Sequence, residues 1–224
     1  MNLNKHFEFF NPMSVEHEVH IIGCGAIGST VAEMLTRLGF PKLHLYDFDT
    51  VTDHNITNQK FRMKDIGEPK VKALADILNE INPDIQLELH DKGWNEYSRI
   101  TGIVFIAVDS IEIRKEIVQT YKYSKDIVFM TDCRMRLTDA QCYAADWSVE
   151  KQIKGFYNSM DFTSEEAKAS TPVSACGTTL SVTPTVCTIV SLAISNLINF
   201  LHGKEYKTLI MIDAFSMNIC SFPE

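Results

Sequence analysis

The chain has 224 residues, with 29 acidic against 21 basic side chains and a formal net charge of -8. Hydrophobic residues make up 45% and charged residues 22%. That balance excludes a disordered or fibrous chain and supplies enough apolar material for a real core. No basic stripe is visible, which argues against a nucleic-acid groove. An anionic small ligand stays compatible, because backbone N–H groups and one or two lysines can hold phosphate in an acidic protein.

The first twelve residues mix Lys5, Glu8 and several Asn with Phe and lack the apolar core and cleavage site of a signal peptide. The six cysteines (Cys24, Cys133, Cys142, Cys176, Cys187 and Cys220) contain no CxxC or CxxH pair. The expectation is a cytoplasmic protein with reduced thiols and no zinc.

From Val19 the pattern alternates between strand and helix. Val19 to Ile22 reads as a buried parallel strand. Ala26 to Leu38 carries Ile27, Val31, Met34, Leu35 and Leu38 at helical spacing, and Gly39 stops it. Lys42 to Asp47 is a second strand. Pro69 to Ile81 is the clearest helix, with Pro69 suited to its first position and Val71, Leu74, Ala75, Leu78 and Ile81 on one face.

Ile85 to Leu89 and Ile103 to Val108 read as strands, Ile111 to Tyr121 as a helix, and Ile127 to Thr131 and Gln141 to Trp147 as further strands. Residues 150–175 are polar and weakly periodic and read as a long surface excursion. Gly177 to Leu201 carries no charged side chain, but Pro184, Asn196 and Asn199 within it favour a buried helix, from Thr185, over a membrane span. Thr208 to Ile212 and Phe215 to Ser221 form a final hairpin. The expected architecture is one α/β domain over residues 1–224. Its mostly parallel, Rossmann-like sheet has helices on both faces in β-α-β-α-β-α-β-α order, then an antiparallel extension.

Gly23-Cys24-Gly25-Ala26-Ile27-Gly28 follows the first strand and opens the first helix, the setting a GxGxxG nucleotide fingerprint requires. Two glycines serve the tight turn and the approach of phosphate, and the third serves helix packing. Asp47, at the end of the next strand, stands where an acid accepts hydrogen bonds from ribose hydroxyls. Lys70 sits in a first helical turn, at the positive end of the helix dipole, a natural triphosphate site. Asp109 ends an apolar strand on the crevice side of such a sheet, where a carboxylate suits Mg²⁺. Asn55 and Gln59 lie four apart, so one helical turn would present both amides to one place.

The stretch Asp47-Phe48-Asp49-Thr50-Val51, then Asn55 and Gln59, then Pro69-Lys70, resembles the ThiF/MoeB/E1 superfamily of adenylating enzymes, which carry D-x-D-x-V, N-x-x-R-Q and P-K in that order. Val108-Asp109-Ser110 with Arg114, Arg134-Met135 and Ala175-Cys176-Gly177 extend the likeness over roughly residues 19 to 213.

The resemblance implies an ATP- and Mg²⁺-dependent adenylyltransferase acting on the C-terminal carboxylate of a ubiquitin-like protein, a sulfur carrier or a peptide, in a homodimer; the charge balance and the segment pattern add the expectation of no nucleic-acid or membrane partner. It implies that Gly23, Gly25, Ala26, Gly28, Asp47, Asp49, Lys70 and Asp109 hold nucleotide and that Asp109 binds the metal. Asn55, Gln59, Lys70 and Asp109 would serve catalysis, with Cys176 as a candidate covalent thiol. The family arginine before the glutamine is Asn58 here, with Lys60, Arg62 or Lys64 as possible substitutes. Two other readings stay open. One is an NAD-dependent oxidoreductase, which fits the fingerprint and Asp47 alone. The other is a catalytically silent nucleotide-binding subunit, favoured by Asn58.

Overall fold

The computed structural model describes residues 1–173 and 180–223. Its strands are β1 (Val19–Ile22), β2 (Lys42–Tyr46), β3 (Gln86–His90), β4 (Gly102–Ile106), β5 (Ile127–Met135), β6 (Asp139–Asp146), β7 (Leu209–Asp213) and β8 (Asn218–Phe222). Its helices are α1 (Ala26–Leu38), α2 (Lys70–Ile81), α3 (Ile111–Tyr121), α4 (Glu150–Asn158), α5 (Ser164–Ala169) and α6 (Thr183–Leu201). Short 3-10 turns cover Pro12–Ser14, Asp53–Thr57 and Met63–Asp65.

All eight strands form one sheet in the order β3-β2-β1-β4-β5-β6-β7-β8. The first five in that order pair in parallel, and β5 to β8 pair antiparallel. The chain winds outward from β1 to β3, then returns to lay β4 on the other side of β1. The order therefore reverses between β1 and β4, and a crevice opens beyond their carboxyl ends.

Alternation along each strand divides the core into two layers. Val19 and Ile21 face one side, where Val31 and Leu35 of α1, Leu74 and Leu78 of α2, and Val186, Ile189 and Val190 of α6 pack. Ile22, Val104 and Ile106 face the other, against Ile117 and Val118 of α3 and Ile153 and Phe156 of α4. Gly39 ends α1 in the left-handed region at φ 86°, which a side chain would resist. α6 is long and apolar enough to cross a membrane, yet half of that stretch is buried. It packs along α1, β5 and β6, and Asn196 bonds the backbone of Lys207 at both amide atoms (2.8 and 2.7 Å).

Three expectations need correction. Residues 150–175 are not simply an excursion: α4 buries Gln152, Ile153 and Phe156, with Phe156 edge-on to Trp147. α5 starts from a reciprocal cap between Thr163 and Glu166, a T-x-x-E signature that marks a helix start. The crossover from β3 to β4 contains no helix; residues 91–101 are held instead by Trp94, whose indole N–H donates to the Tyr121 hydroxyl at 3.0 Å. Pro69 is the N-cap of α2 rather than its first residue, which is Lys70.

Candidate functional site

The crevice at the reversal point is a cleft of about 1020 Å³. Its floor begins at the glycine turn. Gly23 has φ 97°, and a Cβ there would lie 2.6 Å from the carbonyl oxygen of Ala107, so only glycine lets β1 and β4 end side by side. A Cβ on Gly28 would lie 1.8 Å from Gly23 O. Gly28 therefore serves the seating of α1 on the turn and does not line the cleft. A Cβ on Gly25 would meet nothing within 4 Å; that open space, at the N-cap of a thirteen-residue helix, is where an anion can approach the backbone.

Asp47 leaves the end of β2 and clamps this turn. Its Oδ2 accepts from Cys24 N–H at 2.7 Å and its Oδ1 from Asp49 N–H at 2.9 Å. Each oxygen keeps a lone pair for a ligand hydroxyl. Lys70 is buried, and its Nζ donates to Asp49 Oδ2 at 2.8 Å while its amide donates to Asp49 O at 2.9 Å. One acid thus fixes both ends of the lysine. Cys24 packs inward, and burial pushes its thiol well up, which leaves it a small apolar filler.

Gln59 lines the cleft with a buried Oε1 that has no hydrogen-bond partner. Such an orphaned acceptor is costly unless a ligand donor meets it. Asn55 does not join it. The 3-10 turn ends at Thr57, and the carboxamide oxygen of Asn55 caps that turn by accepting from Thr52 N–H and Oγ, both at 2.9 Å. Asp109 is exposed on the cleft wall beyond β4.

Beneath that wall lies a charge cluster that the motif reading only touched. Asp132 on β5 is fully buried, ion-paired to Arg114 of α3 and, at 2.7 Å, to Nε of Arg134. Arg114 also donates to Val108 O, which fixes the backbone beside Asp109. Arg134 donates to Ser159 O (2.7 Å) and Oγ (2.9 Å) and lies over the Tyr143 ring. Burial pushes Arg114 down to about 9 and Arg134 to about 10, so both stay cationic at neutral pH. The available signal for Asp132 was an acid inside an apolar strand with an arginine two residues on, on the same face.

The suggested substitutes for the missing arginine lie elsewhere. Lys60 pairs with Glu33 at 3.2 Å, Arg62 with Asp65 and Glu80, and Lys64 with Glu80, because the chain after Gln59 turns away to meet acids on α1 and α2. Asn58 itself donates to Ser181 Oγ at 2.7 Å. The cleft is lined instead by Arg114, Arg134, Arg136 and Lys168 beside Lys70. Cys176 lies outside the described residues.

Residues 15–224 match the ThiF family model. The chain belongs to the ThiF family. Ubiquitin-like modifier-activating enzyme 5 of Dictyostelium discoideum is 48% identical over 73 residues, 33% of this chain and 19% of that protein. The matches span between 17% and 33% of the length of the curated relatives. Among solved structures, E. coli MccB with MccA aligns with a TM-score of 0.73 at 18% identity, over all of this chain and 72% of that one. E. coli tRNA N6-threonylcarbamoyladenosine dehydratase, TcdA, aligns at 0.66 and 15%, over 90% and 94%. At those identities the likeness establishes the ThiF fold.

Proposed function

We propose that this ThiF-family chain adenylates the C-terminal carboxylate of a ubiquitin-like protein, a sulfur carrier or a peptide at the expense of ATP. The observation that carries the reading is the convergence of Gly25, Asp47, the Asp49–Lys70 pair, Gln59 and Asp109 on one cleft at the strand-order reversal. A nicotinamide enzyme would use Asp47 and the glycine turn and would leave the other four without a task. The names of the relatives support the choice: one activates a ubiquitin-like modifier, and MccB has been crystallised with ATP and with MccA.

In this reading the substrate carboxylate oxygen attacks the α-phosphorus, the bond to the bridging oxygen breaks, pyrophosphate leaves with that oxygen, and acyl-AMP stays in the cleft. That chemistry needs positioning and charge neutralisation more than a base. Asp47 accepts from the ribose hydroxyls, and the open turn at Gly25 admits phosphate to the start of α1. Lys70, already oriented by Asp49, supplies fixed positive charge, and Gln59 offers its buried oxygen to a ligand donor. Asp109, an exposed carboxylate at the cleft, fits a Mg²⁺ ion, which would neutralise phosphate charge when bound. A homodimer belongs to the same proposal.

ATP–pyrophosphate exchange, measured with and without candidate carrier proteins and peptides, tests the reading. Carrier-dependent exchange supports it. Nicotinamide reduction without exchange would replace it with the dehydrogenase, and nucleotide binding without turnover with the silent subunit, which Asn58 favours. Nucleotide choice gives a second check. Asp47 repels a 2′-phosphate, so calorimetry should show ATP binding and no NADP binding; the reverse would overturn the assignment.

If Cys176 then takes the acyl group, its thiolate displaces AMP and a thioester forms. Cys176→Ala should leave exchange intact while removing the carrier–enzyme adduct from non-reducing gels. An adduct that persists would exclude the thiol.

A further inference from the structure

The β2–β3 pair carries a polar cluster that the nucleotide cleft does not use. Lys42, His44 and Tyr46 alternate onto one face of β2, and the register sets Glu88 beside His44 and His90 beside Tyr46. In a doubly wound sheet a crossover helix would cover this edge. Here residues 91–101 contain none, and the face ends in ionisable side chains.

His44 is buried between two carboxylates, with Nε2 2.9 Å from Glu18 Oε2 and Nδ1 3.4 Å from Glu88 Oε2. Lys42 Nζ holds the opposite oxygens, 2.9 Å from Glu18 and 2.5 Å from Glu88. His90 lies flat on Tyr46 at 4.0 Å between ring centroids and 5.8 Å from His44, and its Nε2 is buried without a hydrogen-bond partner. His20 completes the wall but is spent. The Thr101 N–H donates to its Nε2 at 3.3 Å, so the other nitrogen carries the proton and donates to the Tyr46 hydroxyl at 3.1 Å.

We propose that His44, Glu88 and His90 bind one divalent first-row transition cation of the zinc type, with Glu18 as the outer partner of His44. One donor atom from each of the three lies within 4.8 Å of the others. The 3.4 Å between His44 Nδ1 and Glu88 Oε2 suits two ligands of a tetrahedral ion held at about 2.0–2.2 Å from each. A metal-bound histidine characteristically gives its second N–H to a carboxylate, the place Glu18 occupies. Two carboxylates against one lysine leave a negative charge for the cation to offset. Two imidazoles and a carboxylate match known zinc ligand sets with an open fourth position, whereas Mg²⁺ and Ca²⁺ prefer oxygen alone. The lack of paired cysteines argues only against a thiolate site. Such an ion would staple β2 to β3 beside Asp47, whose N–H donates to His90 O at 3.2 Å.

The test is calorimetric titration of the chelator-stripped full chain with Zn²⁺, and separately with Co²⁺, without nucleotide. One ion per chain, a raised Tm and a visible Co²⁺ ligand-field band are expected. Glu88→Gln and His90→Gln, at the sheet edge rather than in the core, should abolish saturable binding while the fold persists. Glu18→Gln should weaken binding about 10–100-fold. A Cys187→Ser/Cys220→Ser variant should bind as the parent does. Absence of stoichiometric binding, binding that survives both edge variants, or loss of binding in the cysteine variant would each overturn the proposal.

Discussion

Lys70→Ala should slow ATP–pyrophosphate exchange at least ~100-fold, which corresponds to about 2.7 kcal/mol of barrier. The lysine is buried at the start of α2, and its ammonium is held by Asp49 Oδ2 at 2.8 Å. A charge fixed in that way can act on phosphate without reorganising. The loss should fall on catalysis rather than folding, because Asp49 is half exposed and stays hydrated when its partner is removed. Lys70→Met, which keeps the buried stem, separates the two effects. It should retain parental Tm and still lose exchange. On the proposed reading, Asp109→Ala should show a loss of the same order. Exchange near that of the parent in either variant would remove that residue from the site.

Asp132→Ala should cost 3–5 kcal/mol of stability, the usual magnitude for breaking a buried ion pair from one side. Asp132 is fully buried and pairs with both Arg114 and Arg134, themselves nearly buried. Removing it leaves two cations facing each other with no anion between them. Urea unfolding with an unchanged slope would measure the loss. Arg134→Met in the same background should recover part of it, because the second uncompensated charge is then gone. A loss below about 1 kcal/mol would mean that the cluster is hydrated and not structural. The cluster also holds Val108 O through Arg114, so a folded variant should bind the metal-bearing end of the nucleotide less well.

Most of the fold was legible because its signals are local. The apolar spacing that ends at Gly39 bounds α1 as Ala26–Leu38, and α3 follows Ser110, which caps it by accepting from Ile113 N–H. The glycine turn, Asp47, Lys70 and Asp109 were legible because each sits at an element end that the pattern already located. What escaped depends on contacts across the chain. Glu150 to Asn158 has a polar composition, and its packing against β6, α3 and Trp147 makes a helix worthwhile there. Asn55 and Gln59 share a backbone turn, with Gln59 N–H donating to Asn55 O at 3.0 Å, but spacing alone could not show that Thr52 would claim the Asn55 side chain. Lys60, Arg62 and Lys64 are near Asn58 in sequence, while Glu33 and Glu80, which capture them together with the neighbouring Asp65, lie on helices reached only after folding. The buried pairing of Asp132 with Arg114 of α3 is another case of contact across the chain.

The way Asp47 is tied has a kinetic consequence. Both of its oxygens already hold backbone N–H groups, one from the glycine turn after β1 and one from the loop after β2, so the adenosine end of the cleft has little left to rearrange when it fills. Stopped-flow mixing with a fluorescent ATP analogue should therefore give a single exponential whose rate climbs in proportion to nucleotide concentration. A plateau would instead mark a closing step after the encounter. The nucleotide would then load at the speed of diffusion and docking alone, with no closing step to gate its entry.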